Sequence, residues 1–269
     1  MDLSTPIPWT KGQLKRLGKA MVSGVQPPAN GPSYEEVLAY HDDLTAQVAA
    51  EIMCNDWVNL FEGEINLSAR PKTRDTLIEK LKRTPPHLTL HEVQDIAGVR
   101  IDSAQLCLTH QRLAAREIAH YFGYESTVQD LLDNPHSGYR AVHVWVRVPA
   151  GRAEVQIRTL AQSAWANTYE GFADLVGRGI RYGEQHNVPE VQQVVDALHR
   201  TSEDIRVCEE TLDYLEHQYG CPDDSLDNLP EEERHAVVAA RQEAHEQEVA
   251  FVSMLEKVAA MIKGMERSQ

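Results

Sequence analysis

Cysteine is scarce in this 269-residue chain: Cys54, Cys107, Cys208 and Cys221 are all there are. They form no CxxC pair and no zinc-type spacing, so neither a disulfide framework nor a cysteine-based metal centre is signalled. A reducing, cytoplasmic setting fits that usage. Long apolar runs are missing too. Nothing approaches the roughly 18 residues that mark a bilayer span, and residues 1–9 lack the basic and apolar regions of a secretory signal. Basic charge is in deficit, with 26 Lys and Arg against 41 Asp and Glu, a formal net charge of −15. A general binder of nucleic acid or anionic membrane carries a broad basic surface, and this composition excludes one. A local basic pocket remains compatible with it. No internal repeat or low-complexity segment occurs.

What is present reads as a globular protein large enough to bury a core unaided. A short helix is predicted near Lys11–Val22, followed by a linker that closes on Pro27, Pro28, Gly31 and Pro32. Ser33 and Glu36 form a capping box. Val37, Tyr40, Leu44, Val48 and Ile52 then recur at helical spacing to about Met53. His41-Asp42 is expected as a surface pair on that helix. Between Ala69 and Arg83, six basic residues stand against two acidic ones, a local +4 in an acidic chain. That segment is either a solvated basic helix or a phosphate-binding element.

The central block predicts a short strand at Val99–Asp102, a helix at Leu106–Phe122, a strand at 125–129 and a loop at Asp133–Gly138. Two strands are clearer. Val142, Val144, Val146 and Val148 alternate with polar or amphipathic residues, as do Ala153, Val155 and Ile157 with Arg152, Glu154, Gln156 and Arg158. Pro149-Ala150-Gly151 joins them as a hairpin, and a helix follows from about Ala161 to Leu175. The last third is helical. One apolar seam runs through Val191, Val194, Leu198, Thr201, Ile205, Cys208, Leu212 and Leu215, another through Phe251, Leu255, Val258, Ile262 and Met265. They predict a helical hairpin, packed on the core or forming an oligomer interface. Three regions result: a helical 1–64, a core at 65–178 and the helical hairpin at 179–269.

The polar row Arg152, Glu154, Gln156, Arg158 sets a carboxylate and an amide between guanidiniums on one strand face. Such a row suits a metal–polyphosphate substrate, because arginine offers phosphate a planar fork of donors. A solvent-exposed sheet face decorated with charge is the alternative. Asp95, just before a strand, supplies a second acid beside Gly98, which permits close backbone approach. Two acids suffice to hold one Mg²⁺ that also uses water and phosphate oxygens. Tyr139, after Gly138 at a strand mouth, can offer a stacking face to a base.

Arg70-x-Lys72 with Lys80, Asp95-Ile-Ala-Gly-Val-Arg100, Ser137-Gly-Tyr-Arg-Ala-Val-His143, Glu154-Val-Gln-Ile-Arg-Thr-Leu160, then Trp165-Ala166 and Glu170 occur in that order. Over roughly residues 65 to 172 this order resembles the synthetase domain of the RelA/SpoT family, in the form of its single-domain small alarmone synthetases. The resemblance implies an α/β (α+β) fold of nucleotidyltransferase type: a mixed, mostly antiparallel sheet flanked by helices, with N- and C-terminal helical extensions. It implies transfer of pyrophosphate from ATP to the 3′-hydroxyl of GDP or GTP, with Mg²⁺ as cofactor and no hydrolase domain. Asp95 would be the principal Mg²⁺ ligand, and Glu154 the second acid, on the metal or as general base. Arg70, Lys72, Lys80 and Arg100 would contact ATP. Tyr139 would stack on the acceptor base, while His143, Gln156 and Arg158 would position the acceptor or support the site.

The chain departs from the family pattern where a loop lysine is common and it reads Asp133-Asn-Pro-His-Ser137. Toxic relatives, which modify the tRNA 3′ end or adenine nucleotides and are held by an antitoxin, are therefore a second reading. The acidic C-terminal third weighs against tRNA. A catalytically silent nucleotide-sensing or partner-binding module is a third, and retention of both Asp95 and Glu154 weighs against it.

Overall fold

A computed structural model describes residues 1–27, 29–55, 62–69, 72–83, 88–220 and 226–266. Helix α1 (Lys11–Ser23) starts at a Thr10–Gln13 capping box and stops at Gly24 in the left-handed region. Helix α2 (Tyr34–Cys54) starts at the predicted Ser33–Glu36 box. Val37, Leu44, Val48 and Ile52 are buried along it, as the spacing required, and the half-buried Tyr40 donates its hydroxyl to the Ala150 carbonyl at 2.9 Å. His41 is not at the surface. It is 6% exposed, and its Nδ1 donates to the Val37 carbonyl at 2.8 Å. That local bond satisfies Nδ1, so a buried histidine fits where the pattern suggested a solvated one.

The strands are β1 (Glu62–Ala69), β2 (Ala97–Gln105), β3 (Thr127–Asp130), β4 (Val142–Val148) and β5 (Gly151–Thr159). They form one mixed sheet in the order β1-β2-β5-β4-β3. Only the β2–β5 pair is parallel, with Gly98 opposite Glu154 and Arg100 opposite Gln156. Strands β4 and β5 form the predicted hairpin, and its register places His143 across from Gln156 and Trp145 across from Glu154. This is the mixed sheet that the resemblance implied.

Period-two alternation gives the sheet two different faces. Val142, Val144, Val146, Val155 and Ile157 are fully buried on one face against α2 and helix α4 (Leu108–Phe122). The opposite face carries His143, Glu154, Gln156 and Arg158. Helix α3 (Arg74–Arg83) is the predicted basic segment, and it buries Leu77 and Leu81 against α1. Helix α5 (Leu160–Val176) leaves β5 directly, capped by Thr159 and Gln162.

Helices α6 (Pro189–Tyr219) and α7 (Glu231–Glu266) pack on α5 and on each other. Leu255 and Ile262 are buried in that cluster, whereas Met265 is exposed. Along α6, Leu198, Ile205, Cys208 and Leu215 of the predicted seam are buried, Val194 is exposed, and Val195, Ser202 and Glu209 are buried beside them. Two of these additions are polar. The Ser202 hydroxyl donates to the Gly138 carbonyl, and Glu209 accepts from Thr159 Oγ1 and Gln162 Nε2. An apolar count cannot see a seam built partly on satisfied polar groups. No helix among the described residues is long and apolar enough to cross a membrane.

Candidate active site

A cavity of about 320 Å³ opens between α3, the β2 and β5 strands, the end of α5 and the short helical turn at Arg178–Tyr182. Among the described residues, six basic and four acidic side chains line it, a net positive pocket in a chain of net charge −15. Low local dielectric strengthens such a field toward a polyanion.

Asp95 sits just before β2, with its carboxylate 19% exposed. Lys72 Nζ meets Oδ2 at 2.6 Å and Lys80 Nζ meets Oδ1 at 2.8 Å. Burial pushes this carboxyl up, but Lys72 and Lys80 more than offset it and hold it below the ordinary aspartate range. The Lys72 backbone N–H donates to the Ile96 carbonyl at 3.2 Å, and Lys80 comes from α3, so two elements converge on one acid.

Glu154 faces the same cavity from β5. Its Oε2 accepts from Gln156 Nε2 at 2.8 Å, and its Oε1 lies 3.3 Å from both Trp145 Nε1 and His143 Nδ1. Burial raises this carboxyl, yet the contact with His143, aided by Gln156, brings it down to about 2. His143 moves the other way. Burial lowers it, but Tyr139 and Glu154 together lift it to about 9. Across neutral pH the pair is therefore a buried imidazolium against a carboxylate.

The chain of contacts continues inward. His143 Nε2 lies 2.8 Å from the Tyr139 hydroxyl, which also accepts from Arg158. Arg158 donates to Gln156 Oε1 at 2.6 Å and lies over the Tyr139 ring, 4.8 Å from its centroid. Gly138 holds φ +80°, and a Cβ there would stand 2.8 Å from the Trp165 ring. The glycine of the Ser137-Gly-Tyr-Arg140 run is thus fixed by backbone conformation and close approach.

The predicted residues divide accordingly. Lys72, Lys80, Asp95, Arg100, Glu154 and Gln156 meet at the cavity. Arg100 comes from β2 and donates to Asn167 Oδ1 at 2.9 Å. Tyr139, His143 and Arg158 lie behind Glu154 and Gln156 and outside the cavity wall. Arg152 leaves the row, because its guanidinium donates to the Glu92 carbonyl at 3.2 Å. Arg70 lies outside the described residues. Arg83, the last residue of the predicted basic segment, also lines the cavity, and sequence reasoning missed Arg178, Arg181 and Tyr182 as wall residues. The Arg83 guanidinium lies 3.8 Å from the Tyr182 ring centroid, a cation–π contact. Two arginines in the glycine-punctuated run Gly177-Arg-Gly-Ile-Arg-Tyr182 were the available signal.

The profile described as "Region found in RelA / SpoT proteins" matches residues 69–175, which run from the end of β1 through nearly all of α5. An uncharacterized protein of Mycobacterium tuberculosis is 47% identical over 217 residues, covering 78% of each chain. Through residues 69–175 the chain belongs to the RelA/SpoT family. Every predicted site residue falls within the matched segment. GTP pyrophosphokinase YwaC of Bacillus subtilis is 26% identical over 184 residues, which cover 62% of this chain and 82% of that protein. The crystal structure of small alarmone synthetase 1 of Bacillus subtilis, bound to its product pppGpp, superposes with a TM-score of 0.53 at 24% identity. The match covers 69% of this chain and 97% of that one, and it shows a shared fold.

Proposed function

We propose that the chain is a pyrophosphokinase that moves the β,γ-pyrophosphate of ATP to the 3′-hydroxyl of GDP or GTP, giving guanosine tetra- or pentaphosphate. The observation that carries the reading is the pairing of Asp95, held by Lys72 and Lys80, with Glu154 across one net-positive cavity. Family membership supplies the reaction class.

The donor set fits Mg²⁺. Asp95 and Glu154 are hard carboxylates, both ionised at neutral pH, and close enough for Glu154 to bear on the charge of Asp95. Asp95 would be the principal ligand and Glu154 the second, and when bound the ion would offset charge on the phosphates of ATP. The two lysines that grip Asp95 are then available to phosphate oxygens.

Lys72, Lys80 and Arg100 bind the triphosphate, with Arg70 the further basic residue of the same segment. Arg83 and Tyr182 form a flat cationic wall against which adenine can stack. The acceptor 3′-oxygen forms a bond to the β-phosphorus. The bond from that phosphorus to the α,β-bridging oxygen breaks, AMP leaves with its electron pair, and the hydroxyl proton passes to solvent. Phosphoryl-type transfer asks mainly for positioning and charge neutralisation, which this basic wall supplies. Glu154, held near 2, is a weak base and suits a charge-bearing role better than proton abstraction. His143 and Gln156 fix its orientation. Tyr139 and Arg158 brace that pair, and Tyr139 reaches an acceptor base only by giving up part of this network.

The test offers ATP labelled on the γ-phosphate, with Mg²⁺, separately to GDP, GTP, ATP and deacylated tRNA. Label in a guanine nucleotide supports the reading. Label only in tRNA or an adenine nucleotide moves the chain to the toxic class, and transfer to no acceptor contradicts the enzyme reading.

A further inference from the structure

We propose that Cys107, His110 and Glu216 form a second metal site, for a zinc-type divalent cation, between the core and the C-terminal helices. The cysteines taken alone gave no such signal, because the ligand set mixes residue types and spans two distant helices. Cys107 is the N-cap of α4, and His110 lies one turn further on, a Cys-x-x-His spacing. Glu216 reaches them from α6. The ligand atoms of the three all lie within 4.8 Å of one another, and all three residues are half-buried.

The frame is already rigid. Asp213, one turn before Glu216, accepts from the Thr109 backbone N–H at 2.7 Å and from its hydroxyl at 3.1 Å. This bond pair docks α6 on the first turn of α4. The His110 N–H points at Cys107 Sγ, 3.4 Å away, so the sulfur is held at the helix mouth. Ligands about 2.0–2.3 Å from a tetrahedral zinc stand roughly 3.3–3.8 Å apart, so closure asks for about 1 Å of side-chain movement.

The chemistry favours a borderline ion. One thiolate, one imidazole and one carboxylate suit zinc and are a poor set for Mg²⁺. Three protein ligands leave a fourth position open. Cys107 and Glu216 also line a cavity of about 370 Å³ between Leu106 and α6–α7, which gives water or a small ligand access to that position. Binding releases the thiol proton to solvent and ties α4 to α6. The site lies outside the Asp95 cavity, so it does not rest on the proposed transfer reaction.

The test uses the full chain, stripped with a chelator and titrated with Co²⁺ as a spectroscopic probe, then with Zn²⁺ in competition with a chromophoric chelator. One equivalent of cobalt with a thiolate-to-metal charge-transfer band, displaced by zinc, is expected. Cys107→Ser should abolish the band, and Glu216→Gln should weaken binding while circular dichroism stays unchanged. Cobalt bound without a thiolate band, no stoichiometric binding, or a band lost in Cys221→Ser but kept in Cys107→Ser would each overturn the proposal.

Discussion

Replacing His143 with glutamine removes the cation facing Glu154 while keeping a donor of similar reach. The structure sets the size of the effect. His143 rises from its ordinary 6.5 to about 9 on folding, despite a burial cost that pushes it down. At about 1.4 kcal/mol per pH unit, that corresponds to stabilisation on the order of 3 kcal/mol. Because the folded value is raised, the contribution is complete below about 6.5 and drains away as pH rises through about 9. Glu154 sets the other edge, since its lowered value keeps it ionised down to about 2. Urea denaturation of wild type and His143→Gln from pH 6 to pH 10 reads this directly. The wild type should be more stable by roughly 3 kcal/mol at pH 6, with the gap closing toward pH 10. Glu154→Gln should shrink the same alkaline limb, since Glu154 shares with Tyr139 the interactions that raise His143. A gap that stays constant across that range would refute the imidazolium–carboxylate pair.

Asp95→Asn should cut pyrophosphate transfer by about 100-fold or more, because it removes the acid on which Lys72 and Lys80 converge, while the thermal melt stays cooperative. Gly138→Ala combines a positive φ with a Cβ 2.8 Å from Trp165, so a loss of about 2–4 kcal/mol should appear in chemical denaturation. Arg83→Ala should raise the KM for ATP by about tenfold with little change in KM for the acceptor, as initial rates with either substrate varied would show.

The hairpin β4–β5 was legible because valine alternation is a period-two signal that burial on one face enforces. The predicted start of α2 at Ser33 came from local capping chemistry, which does not depend on tertiary context, whereas the Thr10–Gln13 box that starts α1 was not read from the sequence. Strand β1 was not foreseen: Glu62–Ala69 alternates weakly and is specified by its pairing with β2. Motif order marked Asp95, Glu154, Lys72 and Lys80, and the cavity brings them together. It did not distinguish residues that line the cavity from residues that brace it. Tyr139, His143 and Arg158 sit in the same motifs, yet they form the layer behind Glu154, a fact set by strand register and by Gly138 packing on Trp165. Arg178 and Arg181 join the wall through contacts with Glu79, Asp174 and Glu170 that no local pattern encodes. The polar members of the buried α6 face have a similar origin, since Ser202 and Glu209 are buried by partners far away in sequence.

The central claim is that an intact pyrophosphate crosses the Asp95–Glu154 cavity to a guanine nucleotide. ATP carrying distinguishable labels on its β- and γ-phosphates, incubated with GDP and Mg²⁺, tests it most directly. The account predicts a product holding both labels in equal amounts, AMP as the co-product, and neither in Asp95→Asn. A product with the γ label alone, or with labels unchanged by that substitution, would contradict it.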